Sequence, residues 1–147
     1  MRMANVDYSK EEERKKLSDE EILYFYNILY DYEHDATHGG YKPDLFLQKL
    51  DTLVLLNDQY GKNANITILN ENDMEFTPYN ANICWAILYH IRNSIAHGNL
   101  YSTCDDRFFL IYDYSDKEKR TKCSMSGLVE KEKLYQMIQF IKDTRKP

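Results

Sequence analysis

Asn80-Ala81-Asn82-Ile83-Cys84-Trp85-Ala86-Ile87-Leu88-Tyr89-His90-Ile91-Arg92-Asn93-Ser94-Ile95-Ala96-His97-Gly98 is the stretch on which the reading of this chain turns. Cys84, Ile87, Ile91 and Ile95 recur at three- and four-residue spacing, with Ile83 and Leu88 beside them, which is the period at which a helix returns to one face. Gly98 supplies the left-handed residue that commonly ends a helix. At about 100° per residue, the same winding places His90, Asn93, Ser94 and His97 together on one flank of the apolar face. Arg92 precedes His97 by five residues, about 140° around an ideal helix, so the two point apart unless something brings them together. Unwinding at Gly98, the reach of the arginine side chain, or a two-fold dimer would each do so.

Outward from this helix, two capping-box spacings appear, Ser9 with Glu12 and Ser18 with Glu21. The first marks a short polar helix over Lys10 to Leu17, making residues 1–17 a charged arm or short helix. The second opens a domain of residues 18–147 with a helix from about Asp19 to His34, on which Ile22, Phe25, Leu29 and Tyr32 recur before Gly39-Gly40. Pro43 suits a first helical position, and Leu47, Leu50 and Val54 carry that helix to about Gln59. Residues 62–78 read as a long connection, with Ile66-Thr67-Ile68-Leu69 able to form a short strand. Phe108 to Tyr114 and Lys119 to Met125 read as a hairpin whose first strand is apolar on both faces. A last helix spans about Val129 to Lys142, with Leu134, Met137, Ile138 and Ile141 as its stripe. Helices dominate, so the sequence predicts an all-α bundle with a small β-hairpin inserted before the C-terminal helix.

A chain of 147 residues suits one domain without disulfide or metal staples. It has no apolar run near the roughly 20 residues of a membrane span and no signal-like N-terminus, so a cytoplasmic protein is expected. Cys84, Cys104 and Cys123 are far apart, without a C-x-x-C pair, and read as reduced thiols. No cofactor is called for. The net charge of −5 divides unevenly: residues 1–106 hold 9 Lys/Arg against 18 Asp/Glu, and residues 107–147 hold 10 against 6. In the basic part, Lys117, Lys119, Arg120 and Lys122 form a cluster able to meet phosphates.

His97 and Arg92 suit phosphodiester transfer, because an imidazole exchanges protons near neutral pH and a guanidinium fork fits phosphate oxygens. In RNA the ribose 2′-hydroxyl can attack the adjacent phosphorus, so neither a metal nor a protein nucleophile is required. Asn93 and Ser94 are placed to orient the phosphate or the imidazole. His90 shares their flank but lies two turns earlier, about 10 Å away, as an auxiliary polar or RNA-contacting residue.

Arg92-Asn93-Ser94-Ile95-Ala96-His97, followed by Gly98-Asn99 at the end of an apolar helix, resembles the R-N-x3-H motif of the HEPN family, with the surrounding helix order loosely similar over residues 18–142. The resemblance implies a helical bundle, catalytic Arg92 and His97, an auxiliary Asn93, RNA as substrate, a homodimer, and a toxin–antitoxin or phage-defence setting with an antitoxin or other regulatory protein. Some toxins of that family carry a tyrosine two residues after the histidine that a partner enzyme modifies; here Asn99 stands there, with Tyr101 the nearest tyrosine. Two other readings stay open. One is a HEPN-like binding or assembly module without catalysis. The other is a metal-dependent hydrolase using His34 and His38, spaced as on a zinc-binding helix face but without an evident third ligand.

Overall fold

The all-α expectation fails at residues 99–130, where the chain runs as three consecutive antiparallel strands. The computed structural model describes the backbone of residues 6–36, 43–58, 63–67, 69–78, 83–116 and 118–143, with side chains throughout except at 32–36, 43, 84, 142 and 143. Strands β4 (Leu100–Thr103), β5 (Phe108–Tyr114) and β6 (Cys123–Glu130) form the middle of a six-stranded mixed sheet. β3 (Asp73–Phe76) adds to β6 antiparallel, and β2 (Leu55–Asp58) adds to β3 parallel. β1 (Arg14–Lys16) closes the opposite edge against β4, giving the order β1-β4-β5-β6-β3-β2. With helices α1 (Asp19–Ala36), α2 (Pro43–Leu50), α3 (Ile83–Ala96) and α4 (Lys131–Asp143), the architecture is α/β.

The reason lies in β5. Every residue of Phe108–Tyr114 is buried. A strand apolar on both faces needs cover on both, which a hairpin attached to a bundle does not have. Phe109 and Ile111 face the helices, in a core shared with Phe25, Ile87, Leu88, Ile91, Val129 and Met137. Phe108, Leu110, Tyr112 and Tyr114 face the other way, against Tyr8, Ala64, Tyr101 and Leu128. Each large side chain so buried contributes about 1.5–3 kcal/mol of transfer free energy, and Phe25 adds edge contact with Phe109 at 5.3 Å between centroids.

Local chemistry explains the other corrections. Ser9 turns its amide and hydroxyl to the Asp7 carboxylate instead of engaging Glu12, and the expected helix over Lys10 to Leu17 shrinks to a 3-10 turn, Glu11–Glu13, followed by β1. Arg14–Lys16 of this segment thus form an edge of the sheet. These three consecutive cations suit an edge, since charge discourages pairing with another chain. The second capping box does form: Glu21 N donates to Ser18 Oγ at 3.2 Å and Ser18 N to Glu21 Oε1 at 3.0 Å. Such a cap is worth about 1 kcal/mol. Burial alone would raise the Glu21 carboxyl, but the Ser18 amide and Lys131 ammonium outweigh it and hold the group below the usual carboxylate range.

α2 stops at Leu50, well short of Gln59, because Thr52 Oγ1 and Thr52 N both bond Lys49 O, a local competitor of helical pairing. Leu55 N then reaches Asn72 O at 2.8 Å and the chain enters β2. The strand in the long connection is Asp73–Phe76, while Ile66 and Thr67 lie in a bend. Along α1, Phe25 and Leu29 are buried as expected, but Ile22 is 40% exposed and joins Leu23, Tyr26 and Tyr30 in an exposed apolar row. No helix among the described residues is long and apolar enough to cross a membrane.

Candidate functional site

α3 brings the motif to the protein surface and Gly98 turns it there. Gly98 N bonds Ile95 O at 3.1 Å and Asn99 N bonds Ser94 O at 2.7 Å, the paired bonds of a Schellman cap. Gly98 has φ +70°, and a Cβ built on it meets nothing within 4 Å, so backbone conformation and not space demands glycine here. His97 is the last residue before this turn and is exposed. Among the described residues its imidazole makes no hydrogen bond.

Arg92 takes a different direction. It is half-buried, lines a small hollow with Tyr26, Leu29, Tyr30 and Ile95, and donates from Nη1 to Asn93 Oδ1 at 3.3 Å. Among the described residues no hydrogen bond joins Arg92 to His97, so α3 continues helically between them, as the angular argument anticipates. The cap redirects the chain into β4 without folding His97 back onto Arg92.

Behind Arg92 a polar relay runs into the protein. Asn93 Nδ2 donates to Asp113 Oδ2 at 3.3 Å, and the same oxygen lies 2.7 Å from His90 Nδ1. His90 Nε2 lies 2.8 Å from Thr77 O, and Ser124 Oγ donates to Asp113 O at 3.1 Å. A carbonyl only accepts, so the hydrogen of that bond sits on Nε2. His90 is fully buried and Asp113 is 5% exposed.

This is not a nucleophilic triad. Ser124 Oγ approaches Nδ1 at 3.4 Å, the nitrogen already engaged by Asp113, while Nε2 is taken by Thr77. The relay instead pins α3 to the sheet. His90 and Ser94, expected as auxiliary or RNA-contacting residues, are both fully buried and have no surface to offer RNA. Among the described residues Ser94 Oγ has no hydrogen-bond partner. Their flank faces the sheet because that is where Asp113 lies. Asp113 itself was missed, although an acid at the inward position after Phe109 and Ile111 requires a buried partner on the facing helix, a signal present in the sequence.

The basic cluster divides. Lys119 and Lys122 share a hollow with Asp116, Glu118 and Thr121, and the Asp116 carboxylate accepts from the backbone amides of Thr121 and Lys122. The local charge is therefore nearly balanced. Those bonds, the Thr121 hydroxyl first, hold the Asp116 carboxyl below its usual range. Arg120 lies in a different cleft, with Arg14, Lys15 and Lys16 of β1. Lys117 and His38 lie outside the described residues, as does the His34 side chain, and among the described residues no group of three metal-ligating side chains gathers. Burial pushes the Cys123 thiol up to about 12, and its Sγ donates to Met125 O, so it is a packed side chain and not a nucleophile. Comparison with protein-family models, with curated proteins and with solved structures finds no match to this chain.

Proposed function

We propose that this chain is a metal-independent endoribonuclease that works in the cytoplasm as a homodimer, with His97 moving protons and Arg92 stabilising phosphate charge. The observation that carries the reading is the division of labour along α3. His90 and Ser94 are consumed by the fold, whereas His97 is presented on a capped, exposed turn and Arg92 is steadied by Asn93 at the surface. A 2′-hydroxyl attacks phosphorus, the bond to the 5′-oxygen breaks, and His97 takes or returns the proton while Arg92 compensates the phosphorane oxygens. Asn93 orients Arg92.

The exposed row Leu23, Tyr26 and Tyr30 on α1, whose two tyrosines line the hollow with Arg92, supports a two-fold interface that brings two copies of the motif to one cleft. The likeness to HEPN proteins rests on α3 and its turn, since the surrounding fold is mixed and not a helical bundle. A defence setting with a regulatory protein belongs to the same proposal. The apolar row equally favours a second reading, an assembly module without catalysis. One experiment separates them: fractions across a light-scattering peak are incubated with single-stranded RNA in excess chelator. Cleavage is expected to follow a species of twice 17.6 kDa. Cleavage by the monomer removes the shared cleft, and no cleavage in any fraction favours the assembly module.

A further inference from the structure

β1 and the turn before β6 meet the end of α3 at a cleft of about 590 Å³, lined by Glu11, Arg14, Lys15, Lys16, Gly98 and Arg120, with Tyr101 at its base. Four of these residues are cations and one is an anion. Lys15 is already matched, because Asp106 Oδ2 lies 2.7 Å from its Nζ. Arg14 is different. Its guanidinium lies over the Tyr101 ring at 4.3 Å from the centroid and interacts with the Tyr114 hydroxyl, and among the described residues its buried Nη1 has no hydrogen-bond partner. Held in this way, its charge is fixed at the base of the cleft. Lys16 and Arg120 are exposed.

We infer that this cleft binds the phosphate backbone of single-stranded RNA and delivers it to the turn that carries His97. Gly98, a lining residue, is adjacent to His97 in sequence, so a strand following the cleft passes the imidazole. The exposed Arg120 meets phosphate oxygens in fork geometry, Lys16 contributes point charge, and Arg14 adds its charge from beneath. A protein partner fits less well, since interfaces centre on accessible aromatic and apolar anchors, and Tyr101, 9% exposed, lies beneath Arg14. The identification of the polyanion as RNA rests on the nuclease reading; the cationic cleft itself does not.

Fluorescence anisotropy with a labelled oligouridine whose sugars are 2′-methoxy reports binding without cleavage. Lys16→Gln with Arg120→Gln alters exposed side chains only and preserves the fold, which circular dichroism verifies. The double variant is expected to bind at least ~10-fold more weakly, with a shallower salt dependence by about 1.4, since each phosphate contact on a single strand contributes about 0.7. Lys119→Gln with Lys122→Gln, in the charge-balanced hollow, should change affinity less than twofold. Equal losses from both pairs, or none from Lys16 and Arg120, would overturn the cleft. Polyglutamate competing as well as RNA would overturn the nucleic-acid assignment. Chelator-resistant cleavage with no dependence on Lys16 or Arg120 defeats the cleft and spares the nuclease reading; cleft-dependent binding without cleavage does the reverse.

Discussion

Replacing His97 with alanine is expected to lower RNA cleavage by at least about 100-fold while leaving the thermal midpoint within a few degrees of wild type. The imidazole is exposed at the end of α3 and no protein group among the described residues depends on it for a hydrogen bond. Its structural worth is limited to charge at the helix C-terminus, up to about 1 kcal/mol when protonated. Arg92→Ala should give a similar kinetic loss through the phosphorane charge, with a somewhat larger stability loss because Arg92 also packs beside Tyr26 and Tyr30. Retained specific activity combined with a clear loss of stability would assign both residues to the fold.

The opposite pattern is expected two turns before His97, where α3 meets β5. Asp113→Ala strips the buried His90 of its carboxylate, and breaking a buried ionic or strongly hydrogen-bonded pair from one side costs about 3–5 kcal/mol. For a chain of this size that lowers the midpoint by roughly 10 °C. Asp113→Asn should lose less. With a hydrogen on His90 Nε2 for Thr77 O, Nδ1 is free to accept from an asparagine amide, so one bond is recovered without a charge. Urea unfolding of the two variants measures the difference. Equal stability of wild type and Asp113→Ala would contradict the role of the pair as the pin between α3 and the sheet.

The contrast between these two expectations shows what was legible in the sequence. The helical period of Ile87, Leu88 and Ile91 identifies α3, and Gly98 identifies its end, because both signals are local. Ser18 and Glu21 are likewise read correctly, since a capping box closes within four residues. Ser9 and Glu12 have the same spacing and fail, because Asp7 offers Ser9 a nearer acceptor and β4 offers Arg14–Lys16 a partner distant in sequence. The sheet depends on such distant partners throughout. β1 with β4 and β3 with β6 join segments that carry no mutual signal in one sequence, and β2 is hidden in what reads as the end of a helix.

One clue to the larger sheet was visible. Both faces of Phe108–Tyr114 are apolar, which fits a central strand better than half of a peripheral hairpin. At the site, spacing places His90, Asn93, Ser94 and His97 on one flank, but it does not say which of them face the sheet. Asp113 decides that, drawing His90 inward and tying Asn93 to the same carboxylate. Arg14 and Lys16, outside the basic C-terminal region, were missed because only strand pairing brings them beside Gly98 and Arg120.

The central claim is that His97 and Arg92 cut RNA through its own 2′-hydroxyl. The measurement that bears on it most directly is the identity of the fragment ends, determined with an RNA and the same strand carrying one 2′-deoxy sugar at the cut site, in excess chelator. Attack by the 2′-oxygen expels the 5′-oxygen of the next nucleotide, so the account predicts a 2′,3′-cyclic phosphate or its 3′-phosphate hydrolysis product on one fragment and a 5′-hydroxyl on the other. The deoxy-substituted strand should stay intact at that position. Fragments ending in 3′-hydroxyl and 5′-phosphate, formed only with added divalent ion and equally from the deoxy-substituted strand, would contradict the account even if Arg92 and His97 proved essential.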